Sequence, residues 1–302
     1  MRRTPAPTRR SQRIAALVGA LTTVALLALA PAASANLLTP QTGSPNANKI
    51  SDLYTVTLII AAVIFVGVEG TLIYVLIRFR ARKGRVAAQI HGNTRLEIGW
   101  TLGAAVILVA LAVVTFVELQ SIRGAPNSPA NGLNLSGDEF AVSGPGAPPD
   151  GRAVNIQVNG QQYVWRYTYL GFGKLADQLD APYTYQHMYV PANTVVYLSV
   201  VSQDVVHSWW IPDLGGKVQA VPGYTNHTWF IAPKPGNYFG QCAFLCGLGH
   251  ARMKAEVTAL PPAQWTAWIG NLEQQIAAAN AAQKSARAKQ QNQSGAAAVE
   301  VH

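Results

Sequence analysis

The sequence predicts two membrane-spanning helices followed by an antiparallel β-sandwich. Only 12% of the 302 residues are charged and 49% are hydrophobic, whereas about a quarter of the residues in an average soluble domain carry a charge. Two apolar runs, residues 53–77 and 96–119, each exceed the ~20 residues that cross a bilayer. From 153 to 259 the chain changes to short runs of β-branched and aromatic residues separated by Pro, Gly and Asn, a pattern typical of a sandwich.

The first 35 residues have the composition of an export signal. Five arginines between positions 2 and 13 precede the apolar run 14–30, and the small residues Ala33, Ser34 and Ala35 follow it. Signal peptides combine these three features. An uncleaved first transmembrane helix is the alternative, but the apolar run is short, rich in alanine and followed by a proline. We therefore expect residues 1–35 to be removed as a signal peptide.

Positive charge indicates how the hairpin crosses the membrane. Six basic residues lie in or beside the short loop between the apolar runs: Arg78, Arg80, Arg82, Lys83, Arg85 and Arg95. The positive-inside rule places this loop in the cytoplasm, so a hairpin over 36–123 sends the C-terminal region to the outer side of a bacterial cell membrane. Between 125 and 262 seven basic residues are balanced by eight acidic ones, so the net charge of +9 does not indicate a nucleic-acid partner.

Three further segments follow the hairpin. Residues 124–152 are rich in Gly, Pro, Asn and Ser and are predicted to be a linker. Residues 153–262 form the predicted β domain. Residues 263–302 begin with a helix-like pattern that ends near 279 and continue as a tail rich in Ala, Gln and Ser, which we expect to be disordered.

The two cysteines lie in one short segment that predicts a copper site. Cys242, Cys246, His250 and Met253 follow the spacing C-x3-C-x3-H-x2-M. Thiolate and thioether are soft ligands that favour copper, and imidazole suits it too. Two cysteines in one loop can bridge two copper ions that share one unpaired electron. A disulfide is the alternative in an oxidising compartment, but closing so short a loop stabilises little and leaves His250 and Met253 without a role.

A second histidine ligand must come from elsewhere in the chain. His207 follows a predicted strand and precedes an aromatic run that ends at Pro212, which is where a sandwich presents a ligand from a loop. His187 and His227 are the alternatives, and both are more typical of surface or core histidines. The pattern therefore favours His207.

From about Asn48 to Trp268 the sequence resembles subunit II of the haem–copper cytochrome c oxidases. Four motifs carry the resemblance: residues 91–101, 160–169, 204–209 continuing to 222–223, and 242–253. The resemblance implies a cupredoxin fold, a Greek-key β-sandwich, that holds a binuclear copper A centre. It implies the following ligands: Cys242 and Cys246 as bridges, His207 and His250 as imidazoles, Met253 as a weak ligand, and the backbone carbonyl of Phe244.

The resemblance also implies a path for electrons. They pass from cytochrome c through an exposed aromatic residue to copper A and then to haem in subunit I, which reduces O2 to water while protons are translocated; subunit III is a further expected partner. Tyr163 and Trp165 correspond to the aromatic contact, and Asp204 is the best candidate for docking the donor. Glu97 matches an acid at the mouth of a proton-uptake path, or it is an ordinary acid at a helix start.

Three positions depart from the family pattern. Phe244 replaces a glutamate that also binds magnesium against subunit I, Gln219 replaces an aspartate, and Tyr163 replaces a tryptophan. We therefore expect an altered contact with subunit I and regard magnesium there as doubtful.

Three other classes of protein fit less well. The copper A domain of a nitrous oxide reductase lacks a hairpin carrying the motif of residues 96–100. A quinol oxidase subunit with the same fold lacks the ligands, and copper carriers are rich in Met and His, whereas this chain has three methionines. The chain has no C-x-x-C-H motif, so the electron donor is expected to be a separate cytochrome c.

Overall fold

A computed structural model describes residues 43–80, 84, 86, 89, 91–173 and 181–299. The predicted signal peptide, residues 1–35, lies outside the described residues. The described chain consists of two long helices, a short connecting segment, ten strands and a third long helix.

The first two helices are longer than the apolar runs that predicted them. Helix α1 spans Pro45–Arg78 and helix α2 spans Thr94–Arg123. Pro45 suits the first turn of α1, and the Asn93 side chain caps α2 by accepting a hydrogen bond from the Leu96 N–H at 3.2 Å. Both helices are long and apolar enough to cross a membrane, and the chain itself does not bury their apolar stretches.

Strand β8 (Asn226–Ile231) fastens both helices to the β domain. The Asn46 side chain in α1 donates to the Trp229 carbonyl at 2.7 Å, and the Ile231 N–H donates to the Ser44 hydroxyl at 3.0 Å. The Trp229 indole donates to the Ile122 carbonyl in the last turn of α2 at 3.0 Å. One strand therefore contacts the outer end of each helix.

The segment predicted to be a linker is part of the β domain. Leu135, Phe140 and Val142 are buried, and the Ala153 N–H donates to the Phe140 carbonyl at 2.9 Å. The prediction of a linker over 124–152 rested on the Gly and Pro content. It gave too little weight to these apolar side chains, whose burial in the core stabilises the fold.

The ten strands form two main sheets and a small ribbon. The strands are β1 Val154–Gln161, β2 Val164–Tyr169, β3 Tyr183–Tyr185, β4 His187–Pro191, β5 Val195–Ser202, β6 His207–Trp209, β7 Val218–Ala220, β8 Asn226–Ile231, β9 Gly236–Gln241 and β10 Lys254–Leu260. The larger sheet has the order β3-β2-β1-β5-β8, the smaller has the order β4-β10-β9, and β6 pairs with β7. Apolar side chains of both main sheets form one core, which makes the domain a β-sandwich, as the resemblance to a cupredoxin fold implied.

The sheets are mixed rather than purely antiparallel. Strand β1 runs parallel to β5, and β4 runs parallel to β10, whereas the other pairs are antiparallel. The expectation of a purely antiparallel sandwich was therefore wrong for two pairs. Each parallel pair joins strands far apart in the chain, which local sequence patterns do not report.

Helix α3 spans Pro262–Val299 and packs its first turns against the sandwich. The Trp265 indole is buried and donates to the Tyr189 carbonyl at 2.9 Å, and Trp268 lies 4.7 Å from the Tyr189 ring. The sequence predicted a helix to about 279 and disorder beyond it, whereas the helix continues to Val299. Ala, Gln, Lys and Arg dominate this extension, and all four are strong helix formers.

Candidate metal centre

Two segments of the sandwich bring the predicted ligands together. His207 is the first residue of β6, and residues 242–253 connect β9 to β10. The Ala243 N–H donates to the Ser208 carbonyl, and the Cys242 N–H donates to the Met253 carbonyl, each at 2.9 Å. Backbone hydrogen bonds therefore hold the cysteine loop against the strand that carries His207.

The side chains of four predicted ligands form a continuous row. The His207 Nδ1 lies 3.9 Å from the Cys242 Sγ, which lies 3.9 Å from the Cys246 Sγ, and that sulfur lies 3.6 Å from the His250 Nδ1. A disulfide requires sulfur atoms about 2.05 Å apart, and both cysteines are free and buried. The order nitrogen, sulfur, sulfur, nitrogen is the order in which two bridging thiolates and two terminal imidazoles would hold a pair of ions.

The two predicted weak ligands lie beside this row. The Phe244 carbonyl oxygen is 3.3 Å from the Cys242 Sγ, while the phenyl ring of Phe244 points away and is 44% exposed. Met253 is fully buried in the turn that also carries His250. Both residues are therefore close to the cysteines in the fold.

Of the three candidate histidines, the structure brings His207 to the cysteines. The ligand atoms of His207, Cys242 and Cys246 all lie within 4.8 Å of one another, and within the described residues this is the group of His, Cys, Asp and Glu side chains that meets the spacing for one ion. His187 instead pairs with Glu256 at 3.1 Å. His227 stacks on the ring of Tyr197 with centroids 5.4 Å apart.

The two thiols differ in how easily they ionise. Burial raises the pKa of Cys242, but hydrogen bonds with His207 and with the Ser208 backbone outweigh it, so this pKa lies below that of an ordinary thiol. Burial and the neighbouring Cys242 both raise the pKa of Cys246. In the metal-free protein Cys242 therefore loses its proton more readily than Cys246.

Asp204 forms a hydrogen bond with the ring nitrogen of His207 that faces away from Cys242. Its Oδ1 lies 2.8 Å from the His207 Nε2, which directs the other ring nitrogen, Nδ1, toward Cys242. Backbone N–H groups of Gln162 and Val205 also donate to this carboxylate, each at 2.6 Å. Burial raises the pKa of Asp204, but the hydrogen bonds from His207 and the two N–H groups lower it below its ordinary value.

This orienting role for Asp204 was not predicted from the sequence. Asp204 was instead proposed as a docking residue for the electron donor. The carboxylate is 31% exposed and makes four hydrogen bonds inside the protein, with His207, Ser202 and the N–H groups of Gln162 and Val205. The spacing of three residues between Asp204 and His207 was the available signal, because a carboxylate often orients a metal-binding imidazole.

The two aromatic residues predicted to lie on the electron path differ in how deeply they are buried. Tyr163 is 38% exposed and packs against the cysteine loop at Gly247 and Gly249. Trp165 is fully buried, and its ring lies edge-on to His207 at 5.8 Å. Tyr163 therefore reaches the surface, whereas Trp165 contacts a ligand from the interior.

Glu97 lies far from the cysteines. It occupies the first turn of α2, where its carboxylate accepts a hydrogen bond from the Asn93 N–H at 3.4 Å. The last turn of α2 contacts the β domain, so a helix rise of 1.5 Å per residue puts Glu97 on the order of 40 Å below that contact. Its observed interaction is that of a helix cap.

The donor atoms suit copper and do not suit magnesium. Soft sulfur and imidazole nitrogen are copper ligands, whereas magnesium requires oxygen ligands. Phe244 has no side-chain oxygen, and Gln219 offers an exposed neutral amide.

Comparison with known proteins identifies the family. Residues 154–260 match the family model "Cytochrome C oxidase subunit II, periplasmic domain", and residues 32–117 match "Cytochrome C oxidase subunit II, transmembrane domain". Together with the two apolar helices, these matches make the chain a membrane protein with an extracytoplasmic β domain.

Curated relatives carry the same name. Cytochrome c oxidase subunit 2 of Alkalihalophilus pseudofirmus is 32% identical over 243 residues, which are 80% of this chain and 64% of the relative. Cytochrome c oxidase subunit 2 of Synechocystis is 32% identical over 257 residues, covering 77% of this chain and 75% of the relative. A solved structure, the periplasmic domain of subunit II of cytochrome oxidase of Bradyrhizobium japonicum, is 28% identical with a TM-score of 0.37 and covers 41% of this chain and 97% of that chain. The resemblance found in the sequence is thus confirmed, and the chain belongs to the cytochrome c oxidase subunit II family.

Proposed function

We propose that this chain is the electron-accepting subunit of a haem–copper oxidase. It takes electrons from a separate cytochrome c at a binuclear copper A centre and passes them to haem in subunit I, where O2 is reduced to water and protons are translocated. The observation that carries this proposal is the buried row of two imidazoles and two free thiols, with neighbouring donor atoms 3.6 to 3.9 Å apart.

Six residues of the chain hold the copper in this proposal. Cys242, Cys246, His207 and His250 would supply the sulfur and nitrogen ligands of the two ions. Met253 and the Phe244 carbonyl would supply two weaker ligands. When bound, copper A accepts and releases one electron with little change in geometry. Burial of Cys242, His207 and Met253 excludes water from the centre, which favours rigid coordination.

Electrons reach the centre through the aromatic residues beside it. Tyr163 combines an exposed edge with contact to the cysteine loop, so it is the proposed contact for cytochrome c. Trp165 packs on His207 from inside and supports the ligand. The Asp204 carboxylate interacts mainly with His207. The exposed part of this carboxylate remains available to cytochrome c.

The remaining partners follow from the membrane topology. The hairpin sits in a bacterial cell membrane beside subunit I, with subunit III in the same complex. Glu97, at the cytoplasmic end of α2, contributes to the entrance of the proton path. Because Phe244 offers no carboxylate, this chain does not supply its usual side-chain ligand to a magnesium ion at subunit I.

Metal analysis of the purified oxidase tests the proposal. We expect two copper ions at this site, in addition to the copper of the haem–copper centre in subunit I, and an electron-spin spectrum of one unpaired electron shared by the two. Cys246→Ser should abolish the shared-electron spectrum, whereas Leu248→Ser, at a fully exposed position in the same loop, should retain it. A Cys242–Cys246 disulfide without copper in the mature wild-type complex would overturn the proposal.

A further inference from the structure

The cysteine loop is exposed along its outer side. Leu245 and Leu248 are exposed, and so is the ring of Phe244. The loop is anchored at its ends by the backbone hydrogen bonds of Cys242 and Ala243 and by the turn at His250. The middle of the loop, around Cys246, therefore needs a separate contact to keep its sulfur in place.

Gln162 supplies a contact at this point. It lies in the turn between β1 and β2, and its side-chain amide Nε2 donates to the Cys246 carbonyl at 2.7 Å. Gln162 is 84 residues away from Cys246 in the chain, so this hydrogen bond connects the turn between β1 and β2 of the larger sheet directly to a proposed copper ligand.

The same residue also reaches the other half of the site. The Gln162 backbone N–H donates to the Asp204 carboxylate at 2.6 Å, and this carboxylate holds the His207 Nε2 at 2.8 Å. One residue thus connects Cys246, on the loop between β9 and β10, with His207, on β6.

The next residue in the turn fits closely against the loop. A Cβ atom added to Gly249 would overlap the Tyr163 ring, and one added to Gly247 would lie 2.6 Å from the Tyr163 hydroxyl oxygen. Gly247 also has φ +126°, a conformation that side chains disfavour. The loop therefore has glycine at the two positions where Tyr163 leaves no room for a side chain.

We propose that Gln162 is a positioning residue that fixes the Cys246–His250 side of the copper site relative to the His207 side. This inference rests on the proposed copper function and adds a residue that is not itself a copper ligand. Loss of the amide contact releases the middle of the loop, while the backbone contact to Asp204 remains, because every substitution at position 162 other than proline keeps its N–H.

The test compares Gln162→Met with Gln161→Met in the full-length chain within the oxidase. Methionine has nearly the length of glutamine but no amide donor. Gln161 is the neighbouring glutamine, and its side chain bonds to Gln203 instead of the cysteine loop. The first readout is the rate at which a chelator removes copper. Since one hydrogen bond contributes about 0.5–1.5 kcal/mol, we expect about two- to tenfold faster loss for Gln162→Met.

Two further readouts distinguish positioning from general destabilisation. In the copper-loaded protein, paramagnetic NMR signals of the His250 ring should shift, while those of the His207 ring should stay in place. In the copper-free chain, backbone amides between 243 and 249 should exchange hydrogen for deuterium faster, and amides of β1 and β5 should be unaffected. Gln162→Glu, which places a carboxylate near the Cys246 carbonyl, should show the same pattern more strongly.

The outcomes separate this inference from the proposed function. Wild-type protein without a two-copper spectrum would refute the proposed function itself. A normal wild-type spectrum, with both Gln162 variants matching Gln161→Met in copper release, in the His250 signals and in loop exchange, would overturn the role of Gln162 alone. Equal shifts of both histidine rings would also contradict it, since they would indicate a change to the whole site.

Discussion

Replacing Asp204 with asparagine separates two possible roles of this side chain. If the carboxylate mainly docks the donor, its loss slows electron transfer at low salt and leaves copper unaffected. If it mainly orients His207, its loss weakens the copper site at every salt concentration. The four internal hydrogen bonds of the Asp204 carboxylate predict the second outcome.

The size of the effect follows from these contacts. Asparagine keeps the size of aspartate but carries one acceptor oxygen and one NH2 group, so it cannot accept from His207, Gln162 and Val205 together. Each hydrogen bond to a charged group contributes about 1.5–3 kcal/mol. Loss of a group that orients a metal-bound histidine typically lowers metal affinity about 10- to 100-fold, and we expect a loss in this range for Asp204→Asn.

Copper competition and salt titration together provide the assay. Copper retention against a chelator and electron transfer from cytochrome c are measured from low to high ionic strength. Asp138→Asn, which removes an exposed acid from the turn before β1, is the matched control for charge. Wild-type copper retention in Asp204→Asn, combined with slow electron transfer confined to low salt, would refute the orienting role and restore the docking role.

Three other changes test the site and the fold. Tyr163→Leu should slow reduction of the copper centre by cytochrome c in stopped-flow experiments at unchanged copper content; an unchanged rate would exclude Tyr163 as the contact. Trp265→Ala should cost about 3–5 kcal/mol in urea unfolding, because it empties the space where α3 meets the core, whereas the exposed Thr266→Ala should cost little. Burial lowers the pKa of His227, so the unfolded chain takes up its proton first and stability should fall as the pH drops below about 6.5. His227→Gln should weaken this acid-side loss, and an identical pH profile would contradict the assignment.

Local sequence patterns predicted the elements of the fold better than their arrangement. The apolar runs located α1 and α2, and the alternating β-branched segments located most strands. Pairing of β1 with β5 depends on residues about 40 positions apart, such as Val154 and Val196, and no short window reports such a contact. The burial of Phe140 was missed for another reason, because the surrounding Gly and Pro content concealed one strongly apolar residue.

Residue chemistry predicted the proposed ligands but not what holds them in place. Cys242, Cys246 and His250 share one short segment, and their donor atoms alone indicated copper. The contacts of Gln162 and Asp204 arise only when three distant loops meet. The spacing of Asp204 and His207 was a sequence signal for the carboxylate, whereas nothing in the sequence indicates the contact of Gln162 with Cys246.

The attachment of both membrane helices to strand β8 has a consequence for how the oxidase works. The Asn46 side chain and the Trp229 indole donate hydrogen bonds between the helix ends and the sandwich, and the Ser44 hydroxyl accepts one from Ile231. These contacts restrict rotation of the domain relative to the two helices. The loop proposed to hold copper is thereby restrained relative to the ends of the two apolar helices. In the proposed oxidase, this restraint limits the variation in the distance that an electron crosses to the haem of subunit I.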